Sequence, residues 1–293
     1  MGKASTFKDT KDTIDLFNDR FNRNIATRQK NMWSSIFQTI TKLDTDSSGN
    51  ILVNQKNLKT LTTLRGSVKK TIITPQYKKD LKRYLGAFPE LKGINDTYYQ
   101  TIASGTLNAN KQVFNAITNI SIDATKNSLL EAGITNEIIA PVEALLSQNV
   151  TTGGSLADLA ESLRADILGT SDKLGKLERY TRQITTDSLN QFNANYNQTV
   201  SQDLGLQFYY YNGAIKETSR AYCEQRAGKF YHKKEVEDSA NEQWAGKIPG
   251  TNSSTIFVYR GGFNCGHQWL AVDTLGVPKD IIERNISNGN YKP

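Results

Sequence analysis

Gly205-Leu-Gln-Phe-Tyr-Tyr-Tyr-Asn-Gly213 is where this chain changes character. The aromatic run Phe208 to Tyr211 suits a strand, because aromatic side chains pack well on a pleated surface. Asn212-Gly213 is a strong turn signal. Downstream, Gly228-Lys-Phe-Tyr231, Thr255-Ile-Phe-Val-Tyr259 and Gln268-Trp-Leu-Ala-Val272 read as strands, and Glu235 to Trp244 as a helix. Upstream the apolar residues recur at helical spacing. The expected fold class is therefore α+β: a mostly α-helical N-terminal region joined by a long helix to a small α+β C-terminal module.

Working back toward the N-terminus, Ile14, Phe17, Phe21 and Ile25, continued by Trp33, Ile36, Phe37 and Ile40, predict one amphipathic helix over about residues 8–43. Leu58, Leu61, Leu64 and Val68 mark a second helix. Pro75 suits the first turn of a third, with Tyr77, Leu81, Tyr84 and Leu85 on its apolar face and Pro89 as its stop. Val113 to Ile120 and Ile134 to Leu146 give further helices. Gly153-Gly154 is the clearest break, and Ser155 before Asp158 is a weak capping box for the helix that Gly169 closes. A long helix follows over about 171–203. The organisation expected is a helical region over 1–150, a helical connector over 151–204 and the α+β module over 205–293.

A chain of 293 residues suits more than one core. No run approaches a membrane span, and no apolar leader opens the chain. Met1-Gly2-Lys3-Ala4-Ser5-Thr6 fits the N-myristoylation pattern, which is short enough to match often by chance. The net charge of +7 is uneven: residues 1–89 hold 17 Lys and Arg against 7 Asp and Glu. Lys56, Lys59, Arg65, Lys69, Lys70, Lys78, Lys79, Lys82 and Arg83 face only Asp80 in their own stretch. Such density attracts a polyanion, by counterion release from phosphates, or simply keeps a helix face solvated. Asp44-Thr-Asp46-Ser-Ser48-Gly49-Asn50-Ile51 copies the first eight positions of an EF-hand loop, but Gln55 stands where the bidentate glutamate belongs. A polar turn between helices is the better reading.

Both cysteines and both histidines, Cys223, His232, Cys265 and His267, fall within one 45-residue stretch. Two cysteines do not make a disulfide framework. Three readings of the cluster compete. Two thiolates and two imidazoles would close a tetrahedral structural zinc site, with Cys265 and His267 on one face of an extended segment. Alternatively the cysteines pack in an aromatic core with Tyr222, Phe263 and Trp269, free or joined as a disulfide. The third reading is a cysteine nucleophile with a histidine base, for which the spacing offers no recognised arrangement. The zinc-deaminase signature and a phosphate-binding glycine loop are both absent. Gly261 and Gly262 suit a turn that brings Cys265 close to a neighbour. Arg220, Arg226 and Arg260 lie near the cluster, free for DNA or an acidic partner or paired with Glu224 and Glu235.

Several pieces recur in order. They are Gly153-Gly154-Ser155-Leu156, the helix Leu177 to Phe192, Ser219-Arg220-Ala-Tyr-Cys223 and Gly228-Lys229. Trp244-Ala-Gly246-Lys-Ile-Pro249-Gly250 and Gly261-Gly262-Phe-Asn264-Cys265-Gly-His267-Gln-Trp269 follow. Through them the segment from Gly133 onward resembles phage minor head proteins of the head-morphogenesis family, the group related to the F protein of bacteriophage Mu. The first 130 residues carry no such likeness. The resemblance implies a structural, non-enzymatic minor capsid protein of the virion, associated with the portal in the capsid interior and present in the host cytoplasm during assembly. It implies a part in head assembly and in DNA packaging, retention or delivery. The partners it implies are the portal protein, the major capsid protein or both, with double-stranded phage DNA and no membrane. Many members carry a Cys-x-x-Cys pair and an Asn-Cys-Arg-Cys ending. Here a single Cys223 and Cys265-Gly-His267 replace them. The competing class is a metal- or cysteine-dependent enzyme carried into the host with the DNA.

Overall fold

Asn24 splits the helix expected over residues 8–43. In the computed structural model, which describes residues 3–102 and 111–293, α1 spans Lys3–Arg23 and α2 spans Ile25–Ile40. The Asn24 side-chain amide donates to Asp80 at 3.3 Å. On α2 the buried face is Met32, Ile36 and Ile40, while Phe37 is exposed. The myristoylation residues Met1 and Gly2 lie outside the described residues.

The polar turn after α2 is held by its own carboxylates. Asp46 accepts from the Ser48 and Asn50 amides, each at 2.9 Å, and Asp44 pairs with Lys56 at 2.5 Å. The Lys56 ammonium and the Asn50 amide hold Asp44 and Asp46, respectively, below the ordinary carboxylate range. α3 (Gln55–Ile72) starts at Asn54, which accepts from the Asn57 amide at 2.8 Å. α4 (Pro75–Leu85) starts at Thr74, which accepts from the Tyr77 amide at 3.1 Å, with Pro75 in the first turn. Gly86 caps α4. Pro89 is not its stop: it sits in the first turn of α5 (Ala87–Ile102), where an absent N–H costs little.

α6 covers Lys111–Leu130. α7 (Ala132–Ile134) runs through a π-turn into α8 (Ala140–Thr152), which Gly153 closes with φ 71°. Ser155 caps α9 (Leu156–Leu168) as its spacing predicts, and α10 covers Lys176–Asp203. No helix among the described residues is long and apolar enough to cross a membrane.

The strands β1 (Phe208–Asn212), β2 (Phe230–His232) and β3 (Gln268–Val272) form one antiparallel sheet in the order β2-β1-β3. Tyr211 lies opposite Trp269 and Phe208 opposite Val272. Asn212-Gly213 ends β1 without forming a tight hairpin, because α11 (Ala221–Arg226) intervenes before β2. α12 (Lys233–Ser239) is shorter than expected. Thr255 to Tyr259 is not a strand but leads into the helical turn α13 (Ile256–Tyr259). Asn252 starts that turn by accepting from the Ser254 and Thr255 amides. Four apolar residues carry no period that distinguishes the two outcomes. α14 (Lys279–Ser287) follows the sheet, whose outer face packs Phe208, Val272 and Val277 with Ile281, Ile282 and Tyr291. The fold is α+β.

Two compact units divide the chain, each assembled from separated stretches. One comprises Met1–Asp15, Ala87–Ile122 and Thr186–Pro293, and the other Leu16–Gly86 and Asp123–Thr185. In the first unit, the part of α10 from Thr186 onward carries a buried row of polar side chains. Asn193 accepts from Asn95 at 2.6 Å and donates to Gln268, Gln268 donates to Asn190 at 3.3 Å, and Tyr99 donates to Asn197 at 2.8 Å. Replacing Asn193 by Leu strands the Gln268 carbonyl and one Asn95 donor in an apolar interior. We expect a loss of about 1–3 kcal/mol, read as a lowered urea midpoint at unchanged slope.

Candidate functional site

Alternation along β1 sends Tyr209 and Tyr211 to one face of the sheet, and pairing with β3 places Trp269 and Ala271 beside them. α11 brings Cys223 to this face. The turn before β3 brings Cys265 and His267. The Cys223 and Cys265 sulfurs lie 3.8 Å apart, and Cys265 Sγ lies 3.9 Å from His267 Nδ1. All three residues are buried, and their ligand atoms lie within 4.8 Å of one another. The Tyr211 hydroxyl lies 3.4 Å from Cys223 Sγ and 3.7 Å from Cys265 Sγ, and its ring stacks on His267 at 7°.

His232, the fourth candidate ligand, stands apart from this group. It is the N-cap of α12, where Nδ1 accepts from the Lys234 amide at 3.2 Å, its own amide donates to Glu235, and Nε2 faces Gln207 at 3.1 Å. Burial holds this imidazole below its ordinary pKa, which keeps Nδ1 available as an acceptor. A capping box needs an acceptor side chain before a glutamate, and His232 with Glu235 supplies one. The aromatic surroundings also differ from expectation. Phe263 is exposed, and Trp244 takes its place by stacking on Tyr222 at 4.1 Å and donating to the Gly261 carbonyl.

The two thiols share the site unequally. Cys265 is held well below the ordinary thiol pKa because Cys223 donates to it, with His267 and Arg260 adding to the effect, and Cys223 is pushed up in turn. The buried Arg260 donates to the Asn190 carbonyl at 2.8 Å and forms no ion pair among the described residues. Its backbone has φ 52°, a region that costs a non-glycine residue about 1–3 kcal/mol. Arg220 donates to the Phe263 carbonyl at 2.6 Å, and Arg226 pairs with Glu242 and lies over the Tyr222 ring. Glu235 pairs with Arg284. All three arginines near the cluster are thus engaged within the fold.

The trio can hold a metal ion. With zinc–sulfur bonds of about 2.3 Å and tetrahedral angles, the sulfur–sulfur edge is about 3.8 Å, and a zinc–nitrogen bond of about 2.0 Å makes the sulfur–nitrogen edge about 3.5 Å. The sulfurs stand at that separation, whereas a disulfide needs about 2.05 Å. Gly261 creates the room. A Cβ there would lie 2.3 Å from Cys223 Sγ and 2.9 Å from Cys265 Sγ. The sequence signal for Gly261 was a turn and a close approach, and the neighbour it approaches is the pair of thiols. Tyr211 and Asn190 carried no such signal: Tyr211 reads from sequence only as strand.

The basic stretch lies in the other unit. Lys56, Lys59, Lys69 and Lys70 on α3, and Lys78, Lys79, Lys82 and Arg83 on α4, are exposed, while the Arg65 side chain lies outside those described. The four on α4 fall on one side of the helix, opposite buried Tyr77, Asp80, Leu81 and Tyr84. Asp80, the one acid of the stretch, is turned inward, where it accepts from Arg28 at 2.9 Å and Gln76 at 2.7 Å. Arg28 also donates to the capping Thr74 at 2.7 Å, which fixes the roll of α4.

No protein-family model matches the chain, and no curated protein or solved structure matches it.

Substituting Gly261 by Ala forces the two sulfurs apart. We expect about 1–3 kcal/mol of destabilisation in thermal or urea unfolding. Gly266→Ala, where an added Cβ meets nothing within 4 Å, is expected to be close to neutral in the same assay.

Proposed function

We propose that this chain is a structural minor head protein of a tailed phage, associated with the portal and engaged with packaged double-stranded DNA. The observation that carries the reading is the burial of Cys223, Cys265 and His267 together on the inner face of the sheet. Thiols sealed among Tyr211, Tyr222 and Trp269 suit cohesion, since a catalytic thiol must meet its substrate. The motif pieces that carry the family resemblance support the same reading. Ser219 to Cys223, Gly228-Lys229, Trp244 to Gly246 and Gly261 to Trp269 are the segments that surround this cluster. In this reading the ion held by the trio is a structural Zn2+, which adds folding energy to a module with few aliphatic side chains. The portal and the major capsid protein are its protein partners.

The DNA half of the proposal rests on the exposed lysines of α3 and α4 and on the inward turn of Asp80, which leaves the outer face of α4 uniformly positive. Phosphates neutralised by these side chains release counterions, so binding must weaken as salt rises. We expect the logarithm of the affinity for duplex DNA to fall linearly with the logarithm of salt. Replacing Lys69, Lys70, Lys78 and Lys79 by Gln should reduce that slope by about 3.6, at roughly 0.9 per lost phosphate contact. An affinity indifferent to salt, or one that survives the four substitutions, removes DNA from the proposal.

The zinc half is checked by elemental analysis of purified protein. One zinc per chain is expected, and its removal by a chelator should lower the melting temperature of the protein. A metal-free protein with an unaltered melt would leave the cysteines as packing alone.

A further inference from the structure

The zinc reading leaves a tetrahedron one donor short, because His232 is committed to capping α12. Resting on that reading, we propose that the Tyr211 hydroxyl is the fourth ligand, so that the chain offers zinc a closed site of two sulfurs, one imidazole nitrogen and one phenolic oxygen. The argument begins with distances. A zinc–oxygen bond of about 2.0 Å beside zinc–sulfur bonds of about 2.3 Å sets a sulfur–oxygen edge of about 3.5 Å. The hydroxyl stands 3.4 Å and 3.7 Å from the two sulfurs, which themselves stand at the sulfur–sulfur edge.

The second line is the company this hydroxyl keeps. A buried tyrosine ordinarily finds an oxygen or nitrogen partner for its hydroxyl, as Tyr98 does on the Ala271 carbonyl, Tyr209 on Ser201 and Tyr222 on Ser239. Among the described residues Tyr211 has only the two sulfurs, which are weak acceptors. Its ring has no freedom to seek another partner. It sits in β1 opposite Trp269, packs on that indole at 4.2 Å and stacks on His267. The hydroxyl is therefore fixed where a fourth ligand would stand, with the two sulfurs as its partners.

The third line is charge. Two thiolates and a phenolate around a divalent ion leave one net negative charge, with His267 neutral. Arg260 is a buried cation that, among the described residues, forms no salt bridge, and it acts electrostatically on Cys265. Asp187 feels the same guanidinium but spends its carboxylate on the Asn264 amide at 3.2 Å. An anionic metal centre gives Arg260 the counter-charge it lacks. On binding, the ion takes a lone pair from each sulfur, from the His267 nitrogen and from the phenolic oxygen, and the displaced protons leave to solvent.

The test uses the full chain, stripped of metal by chelation and titrated with zinc against a competing chromophoric chelator. Ultraviolet difference spectra are recorded on the same samples. The expected result is a tyrosinate band that grows with zinc and saturates at one equivalent. Tyr211→Phe, which keeps the ring and its stacking, should abolish the band and weaken zinc binding by about tenfold or more. Cobalt in place of zinc gives a second readout, since its visible spectrum should change between the two proteins if a ligand is lost. Zinc bound at one equivalent with no tyrosinate band overturns the assignment of Tyr211 while leaving a three-ligand zinc site. An unchanged affinity and cobalt spectrum in Tyr211→Phe overturn it likewise. Failure of the wild-type chain to bind zinc at all overturns the zinc reading, and this assignment with it.

Discussion

Amides buried along the last four turns of α10 tie that helix to α5 and β3 within the first unit. Asn190, Asn193 and Asn197 have almost no exposure, and a buried amide without partners costs far more than a paired one contributes. Each partner must therefore be in place: Asn95 and Tyr99 from α5, and Gln268 from β3. Apolar surfaces tolerate a slip along the helix. A row of directed amides does not, so β3 is held in one register against α10. The Arg260 guanidinium, bonded to the Asn190 carbonyl, extends the same constraint into the turn that leads to Cys265.

That register determines the cluster. Gln268 and Trp269 lie one and two residues after His267, so fixing β3 fixes the histidine, and pairing with β1 fixes Tyr211 beside it. Cys223 arrives from α11, whose arginine, Arg226, is tied down by Glu242. Gly261 and the positive φ values of Arg260 and Asn264 let the intervening turn pass close over both sulfurs. Strain in that turn is sustained because its two ends are anchored independently. The result is a cluster of side chains assembled from three stretches of chain, with spacing set by the backbone rather than by a short motif.

Parts of this were legible in the sequence for plain physical reasons. Pro75, Gly153, Ser155 and Gly169 act through local backbone chemistry, so their roles as helix starts and stops read directly. The aromatic run of β1 and the collection of cysteine and histidine in one stretch also pointed to the sheet and its buried trio. What could not be read depends on distant partners. His232 became a cap because Glu235 and the Lys234 amide compete for it locally, whereas a ligand role required a fold that was not yet known. Pro89 was ambiguous because proline both ends helices and suits their first turns. The burial of the polar positions of α10 could not be read, since nothing in a single sequence announces that Asn95 and Gln268 will meet them. The α+β class was available from pattern, but the interleaving of two units was not.

That interleaving has a consequence for synthesis on the ribosome. The unit built from Leu16–Gly86 and Asp123–Thr185 has all its residues once position 185 has emerged, whereas the other must wait for strands near the end of the chain. Until then α5 has already been made, and Phe88, Leu91, Tyr98 and Tyr99, almost fully covered in the finished protein, lack the later segments that cover them. Nascent chains in that interval present a sticky helix face and are open to capture by chaperones or by one another. A shortened chain that ends before β3 would remain in that vulnerable condition permanently.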